Sequence, residues 1–159
     1  MKTEQTLIIE KVLLRGCFGA NPSLAIEYGT SEVTIGFPRN GNGKEIVDFL
    51  SFDAKKNIYR CYEIKVSMQD FRSKAKKSWY GNYNYLVVSS ELYSEQKKEY
   101  WKNELPDGVG LIVVNTHTGE KMTAIAPKRQ NISFETAGVL QTSLLRTLFY
   151  QNMKLSKRL

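Results

Sequence analysis

The sequence predicts a mixed α/β fold in which a small central sheet is flanked by helices, and three observations support that class. A segment with helical periodicity opens the chain, and three strand-like segments separated by turn signals follow it. A second helical pattern then leads into a short, continuously apolar segment, which is typical of a strand buried on both faces. The predicted order is α-β-β-β-α-β followed by a C-terminal hairpin and helix, an order that suits helices on both faces of one sheet.

The first half of the chain is predicted to contain a helix and a three-stranded antiparallel meander. The helix spans Glu4 to Arg15 and ends at Gly16 and the run 19–22. Its buried stripe is expected to consist of Leu7, Ile8, Val12 and either Leu13 or Leu14. The strands are predicted at 32–37, 45–52 and 58–66, with turns at 39–43 and 53–57.

The second half begins with a serine, Ser67, whose position before a helical pattern resembles a capping box with Asp70 at its fourth place. The helix that it opens is expected to run to about Trp79, with lysine and arginine side chains on its flanks and back. The remaining elements are a buried strand at 85–89, a polar helix at 91–103, a hairpin of strands 110–115 and 122–126, and an amphipathic helix at 134–153.

Length and charge limit the possible classes of protein. A chain of 159 residues without a Pro/Gly-rich linker predicts one domain over residues 1–159. No apolar run reaches the ~20 residues that span a bilayer, so we expect a cytoplasmic protein that does not bind membranes. The single histidine excludes a zinc site built from several His and Cys ligands. The formal charge of +7 favours a polyanionic partner such as nucleic acid.

The strongest chemical signal is a pair of charged residues, Glu63 and Lys65, that project from the same face of the third predicted strand. If Asp53 and Ile58 flank the preceding loop, the hairpin register places Asp48 directly opposite Glu63. Two carboxylates at that separation repel each other unless a cation neutralises them. Mg²⁺ does so with oxygen ligands, and the backbone carbonyl of Ile64 could supply another. A register slip of one residue would separate the two acids.

Beside such a site, Lys65 could orient or deprotonate an attacking water, or stabilise the charge that develops on phosphorus. An acidic pair, a lysine and a divalent cation are the minimum set of groups for hydrolysing a phosphodiester. The simpler interpretation is that Glu63 and Lys65 form an ordinary solvated ion pair on a strand.

The spacing of Asp48 and the Glu63-Ile64-Lys65 run resembles the motif of PD-(D/E)XK nucleases. The wider pattern, comprising Ile46–Asp53, Tyr62–Ser67 with Asp70-Phe71, and Leu105–Val113, is similar to that of the MmcB-related DNA-repair proteins. The resemblance extends over about Glu4 to Ala126. It implies a restriction-endonuclease-like core and cleavage of DNA with Mg²⁺ or Mn²⁺, with Asp48 and Glu63 as ligands and Lys65 as catalyst. One departure is Val47, which stands where a proline commonly precedes the aspartate.

The resemblance also suggests further residues for the site. Related nucleases often add a carboxylate from the first helix, for which Glu10 is the candidate and Glu4 the second choice, although a solvated glutamate is the alternative. The candidates for nucleic-acid contacts are Ser67, Arg72, Lys74, Lys76, Lys77 and Tyr80. A capping role for Ser67, a solvated face for the lysines and core packing for the aromatic run at 79–85 are the alternatives.

Two functions from different classes are therefore expected. The first is a metal-dependent deoxyribonuclease, acting in DNA repair or processing. The second is a nucleic-acid-binding module on the same fold that is inactive or regulated by a partner. An interaction protein with a surface ion pair at Glu63 and Lys65 would fit if the hairpin register were different.

Overall fold

A computed structural model describes residues 1–19, 21–36, 45–73, 77 and 79–158, and the strands within these ranges form one six-stranded sheet. The strands are β1 (Glu27–Ile35), β2 (Glu45–Asp53), β3 (Ile58–Lys65), β4 (Tyr83–Ser89), β5 (Gly110–Val114) and β6 (Lys121–Ile125). They lie in sequence order across the sheet, with β3, β4 and β5 parallel and the other neighbouring pairs antiparallel. The expected mixed α/β class is confirmed, as is the antiparallel meander.

Helices cover both faces of this sheet. They are α1 (Glu4–Phe18), α2 (Met68–Phe71), α3 (Ser90–Ser94), α4 (Lys98–Glu104) and α5 (Phe134–Ser156), together with a 3-10 turn at Pro22–Leu24. Helix α1 covers one face, where its buried side chains pack on Phe49, Ile64 and Val87. On the other face α5 covers the β1–β3 half, while the side chains of α2, α3 and α4 cover Leu86 and Val88. No helix in the described ranges is long and apolar enough to cross a membrane.

The buried stripe of α1 differs in part from the expected one. Val12 and Leu13 are buried as expected, but Ile9 is the third buried residue, and Leu7 and Leu14 are exposed. Positions i, i+3 and i+4 form one helical face, and this is the face that α1 turns towards the sheet.

Several element boundaries also differ from the prediction. Helix α1 continues past Gly16 and ends at Gly19, whose φ of 58° suits a glycine cap. Strand β1 begins five residues before the predicted start. The helix expected at 91–103 is two helices, α3 and α4, separated at residues 95–97. The turn predicted at 39–43 lies outside the described residues.

The helix predicted from Met68 to about Trp79 is wrong in its length. Helix α2 is a single turn that ends at Phe71, where Phe71 packs against Trp101 with ring centroids 5.1 Å apart. Neither Lys77 nor Trp79 is helical, and Trp79 has a φ of 49°. Tertiary contacts of Phe71 and Lys77 therefore override the helical periodicity of this segment.

The two-stranded pairing of β1 and β2 contains an irregularity at Asp48. Val47 and Leu50 pack in the same cluster under α5 although they are three positions apart, so the alternation of faces reverses between them. On β1, Glu32 has a φ of 55°, and the Cα pairing runs from Ser31↔Phe49 to Val33↔Val47 on either side of it. The reversal of faces therefore falls between Val47 and Phe49, at Asp48.

Candidate functional site

The candidate site lies where β3 keeps its pairing with β4 beyond the end of its ladder with β2. The β2–β3 ladder runs from Asp53↔Ile58 to Phe49↔Tyr62, whereas β3 pairs with β4 as far as Lys65↔Val88. The expected hairpin register is therefore confirmed over this ladder. Asp48 and Glu63 directly follow the last pair of this ladder, and Asp48 lies close enough to act electrostatically on Glu63.

Beyond the end of the β2–β3 ladder, the side chain of Asp48 bonds to the backbone of β3. Its Oδ2 atom accepts a hydrogen bond of 2.7 Å from the backbone N–H of Ile64. Because a buried N–H needs an acceptor, this bond both satisfies the backbone and fixes the carboxylate beside β3. The Ile64 side chain itself is buried in the core under α1.

Glu63 is a buried carboxylate with an unusual electrostatic environment. Its side chain is only 7% exposed, and on the sheet it neighbours Leu86. Burial, followed by the field of Asp48, raises the pKa of Glu63 to about 7, although Lys77 and Lys65 act in the opposite direction. The protein thus holds two carboxylates close enough to repel each other.

Two lysines surround Glu63. Lys77 Nζ lies 2.9 Å from Glu63 Oε1, and Lys65 Nζ lies 3.5 Å from the same oxygen. Lys65 Nζ is also 3.3 Å from Asp70 Oδ1, so α2 helps to hold it in place. Burial opposes the charged form of Lys77, but the hydrogen bond to Glu63 and the fields of nearby carboxylates outweigh it and raise the pKa of Lys77.

Two features of the site were not predicted from the sequence. They are the ion pair between Lys77 and Glu63 and the position of Glu45 beside that pair. Glu45 acts electrostatically on Lys77, and a narrow cleft is lined by Glu45, Val47, Cys61, Glu63, Lys77, Trp79 and Tyr80. The sequence carries no signal for the ion pair, because a helix continuing to residue 79 would place Lys77 elsewhere. Glu45 could have been suspected from its position two residues before Val47 on the same strand face.

Glu10, the carboxylate expected from α1, forms no metal-binding group with Asp48 and Glu63 among the described residues. Glu10 forms an ion pair with Lys2, which also lies 3.2 Å from Glu32. Glu4 is exposed in the first turn of α1. Over the described ranges, no three His, Cys, Asp or Glu side chains form a group that could hold a metal ion. Asp48 and Glu63 thus lack a third acidic partner here.

The residues expected to contact nucleic acid have different environments. Ser67 caps α2, with its Oγ accepting a 3.2 Å hydrogen bond from Asp70 N, as the capping interpretation predicts. Arg72 is exposed just after α2, and Tyr80 is exposed beside the cleft. Lys77 forms an ion pair with Glu63. Lys74 and Lys76 lie outside the described residues.

The donor atoms at Asp48 and Glu63 suit a hard divalent cation, because they are carboxylate oxygens whose mutual repulsion a cation would relieve. A resident cation is already present in the form of the Lys77 ammonium group, which lies in hydrogen-bonding contact with Glu63. A metal ion held by both carboxylates would therefore compete with Lys77 for Glu63.

Comparison with known proteins defines the fold but no function. No protein-family model and no curated protein matches the sequence. The chain is similar in structure to a protein of unknown function from Silicibacter pomeroyi, with a TM-score of 0.66 and 17% sequence identity. The similarity covers 98% of this chain and 92% of that one, so the two share an α/β fold over nearly their whole lengths.

Proposed function

We propose that this protein is a divalent-metal-dependent nuclease with a restriction-endonuclease-like core, and that Asp48, Glu63 and Lys65 form its active site. The observation that carries the proposal is the buried Glu63 carboxylate, which is held beside Asp48 with its pKa raised to about 7 and with Lys65 3.5 Å away. A buried carboxylate beside a second, half-buried one destabilises a fold, so the presence of this pair is explained best by a ligand that needs it.

In this proposal each residue has a separate task. Asp48 and Glu63 would hold Mg²⁺ or Mn²⁺, with the Ile64 carbonyl as a further oxygen ligand, and the metal would lower the pKa of a bound water and offset charge on the phosphate. Lys65 contacts the reacting phosphate or the attacking water. Asp70 positions Lys65 from the side of α2.

The proposed substrate is DNA, in repair or processing, and the support for it is electrostatic together with the resemblance. The formal charge of the chain is +7, and Arg72 is an exposed cation that follows α2 five residues after Ser67. Such side chains bind phosphates without reading bases, so the proposal implies no sequence specificity.

The test is a cleavage assay with plasmid, linear duplex and single-stranded DNA, in Mg²⁺, in Mn²⁺ and in chelator. We expect cleavage only with metal, and a loss of at least about a hundredfold for Lys65→Ala and for Asp48→Asn. Lys55→Ala, at the far end of the β2–β3 hairpin, serves as the matched control and retains activity. Cleavage that survives chelation, or that both site variants retain, would overturn the assignment.

A second candidate function is a nucleic-acid-binding module without catalytic activity. It is favoured by one observation, namely that Lys77 already neutralises Glu63 while the described residues supply no third acidic ligand. Binding of DNA that is independent of metal, without cleavage in any of the conditions above, would select this alternative.

A further inference from the structure

A cavity of about 270 Å³ opens on the α1 side of the sheet, between the C-terminal part of α1 and strand β6. We call it the α1-side cavity. The residues that line it include Gly16, Glu27, Arg60, Tyr62, Tyr85 and Lys121. Tyr62 precedes Glu63 on β3, and consecutive strand residues point to opposite faces. The α1-side cavity is therefore separated from the candidate nuclease site by the sheet.

One wall of the cavity carries an ordered carboxylate with a free oxygen. Glu27 Oε1 accepts hydrogen bonds from Ser51 Oγ at 2.7 Å and from Arg60 Nη1 at 3.2 Å. Glu27 Oε2 has no hydrogen-bond partner among the described residues. Because every fully buried side-chain nitrogen or oxygen atom in that part of the chain does have a partner, Oε2 cannot be fully buried. Oε2 is therefore an accessible acceptor whose carboxylate is held in place by the Ser51 and Arg60 bonds.

The rim near Gly16 carries a cation. Lys121 Nζ lies 2.8 Å from the position that a Cβ atom on residue 16 would take, so the lysine side chain lies over this glycine. Within the described part of the chain, Lys121 forms no ion pair with Glu27 or with any other carboxylate. The cavity thus contains an accessible anionic oxygen and an ammonium group that do not neutralise each other directly.

Apart from the Arg60 guanidinium, which pairs with Glu27, the titratable groups that remain around the cavity are neutral. Burial raises the pKa of Cys17 to about 12, so its thiol stays protonated. Burial also raises the pKa of Tyr62 and of Tyr85, whose rings stack with centroids 5.0 Å apart. Both phenols therefore keep their O–H groups at neutral pH. Apolar surface is supplied by Leu13, Ile112 and Met122.

We propose that the α1-side cavity binds a small zwitterion of the free amino-acid class. The ammonium group of the ligand is expected to contact Glu27 Oε2, and its carboxylate Lys121, while the apolar wall contacts the side chain. The cavity volume of about 270 Å³ falls just below the ~300–1,000 Å³ of drug-sized pockets, which suits a ligand as small as an amino acid. The proposal does not depend on the nuclease assignment.

The test is a ligand-observed NMR screen of the whole protein against the individual free amino acids at about 10 mM, followed by titration of those that bind. For L-leucine the matched probes are 4-methylpentanoate, which lacks the amino group, and 3-methylbutylamine, which lacks the carboxylate. We expect at least one amino acid to bind, and its two truncated analogues to bind at least about tenfold more weakly. Failure of every amino acid to bind overturns the proposal, as does equal binding by the carboxylate alone.

Variants locate the binding within the protein. Lys121→Met changes an exposed residue, leaves the fold intact and is expected to weaken amino-acid binding about tenfold. Glu27→Gln tests the opposite end of the ligand and is expected to weaken amino-acid binding about tenfold, while its circular dichroism spectrum checks that the fold survives. Lys65→Ala, on the other face of the sheet, is expected to bind as the wild type does. Unchanged binding in Lys121→Met would overturn the proposed orientation and site.

Discussion

At the scale of single residues, Glu63 links the stability of the protein to pH. Its ordinary pKa of 4.5 is raised to about 7 in the fold, by burial first and by Asp48 second. Between these two pH values the unfolded chain loses the proton while the folded chain keeps it. The free energy of unfolding therefore falls as the pH rises through this window, by about 3 kcal/mol in total.

Replacement of Glu63 by glutamine removes this dependence, because the amide imitates the protonated acid and does not ionise. In chelator, we expect Glu63→Gln to match the wild type near pH 5 and to be more stable at pH 8, by up to about 3 kcal/mol. Urea denaturation at the two pH values measures the difference. Glu95→Gln, at an exposed position, is the control. Parallel pH profiles for Glu63→Gln and the wild type would contradict the raised pKa.

Lys77 is the second residue whose replacement distinguishes competing interpretations. If a metal ion must displace its ammonium group from Glu63, Lys77→Met removes the competitor, and Mn²⁺ should bind about tenfold more tightly at pH 8. Lys77→Arg keeps the charge and should bind Mn²⁺ as weakly as the wild type. Isothermal titration calorimetry measures both affinities. If Lys77→Met bound Mn²⁺ no better than Lys77→Arg, the two cations would not share a site.

At the scale of elements, the β2–β3 hairpin determines which residues face each other at the site. Its loop is fixed by Asp53 Oδ1, which accepts hydrogen bonds from the backbone N–H groups of Lys55 and Lys56 at 3.1 and 3.0 Å. Asn57 closes the loop with a φ of 57°. That conformation is accessible to asparagine and glycine but costs β-branched residues free energy.

The hairpin therefore predicts effects of different size for two substitutions at Asn57. Asn57→Val should lower the free energy of unfolding by about 1–2 kcal/mol, whereas Asn57→Gly should leave it within about 1 kcal/mol of the wild type. Thermal and urea denaturation measure both. Equal losses for the two variants would show that the backbone conformation of Asn57 is not the source of the effect.

The same hairpin shows why part of the site could be predicted from the sequence. A loop bounded by Asp53 and Ile58 fixes the register by counting, and Ser67 as a cap follows from local chemistry. The reversal of faces at Asp48 and the contact between Lys77 and Glu63 could not be predicted in that way. Both depend on tertiary contacts between segments that local periodicity does not relate, and Lys77 lies where periodicity predicted a helix.

At the scale of the whole molecule, the sheet separates two chemically different regions. On the face shared by α2 and α5, acidic and basic side chains surround Glu63 within a narrow cleft. On the α1 face, the wider cavity combines Glu27 and Lys121 with neutral phenols. Because the sheet lies between them, substitutions in one region should leave ligand binding in the other unchanged, which makes each proposal testable by itself.

The net charge of +7 attracts DNA to the whole surface of the protein, whereas the proposed function requires phosphate contacts near the cleft. Each phosphate contact contributes about 0.9 to the slope of log affinity against log salt concentration. Arg72→Ala should therefore reduce the slope by about 1 and weaken binding similarly for unrelated DNA sequences. Lys55→Ala removes an equal charge from the far end of the hairpin and should leave the slope unchanged. Fluorescence anisotropy over a range of salt concentrations measures both, and equal effects of the two variants would mean that DNA is attracted by overall charge without a defined contact at Arg72.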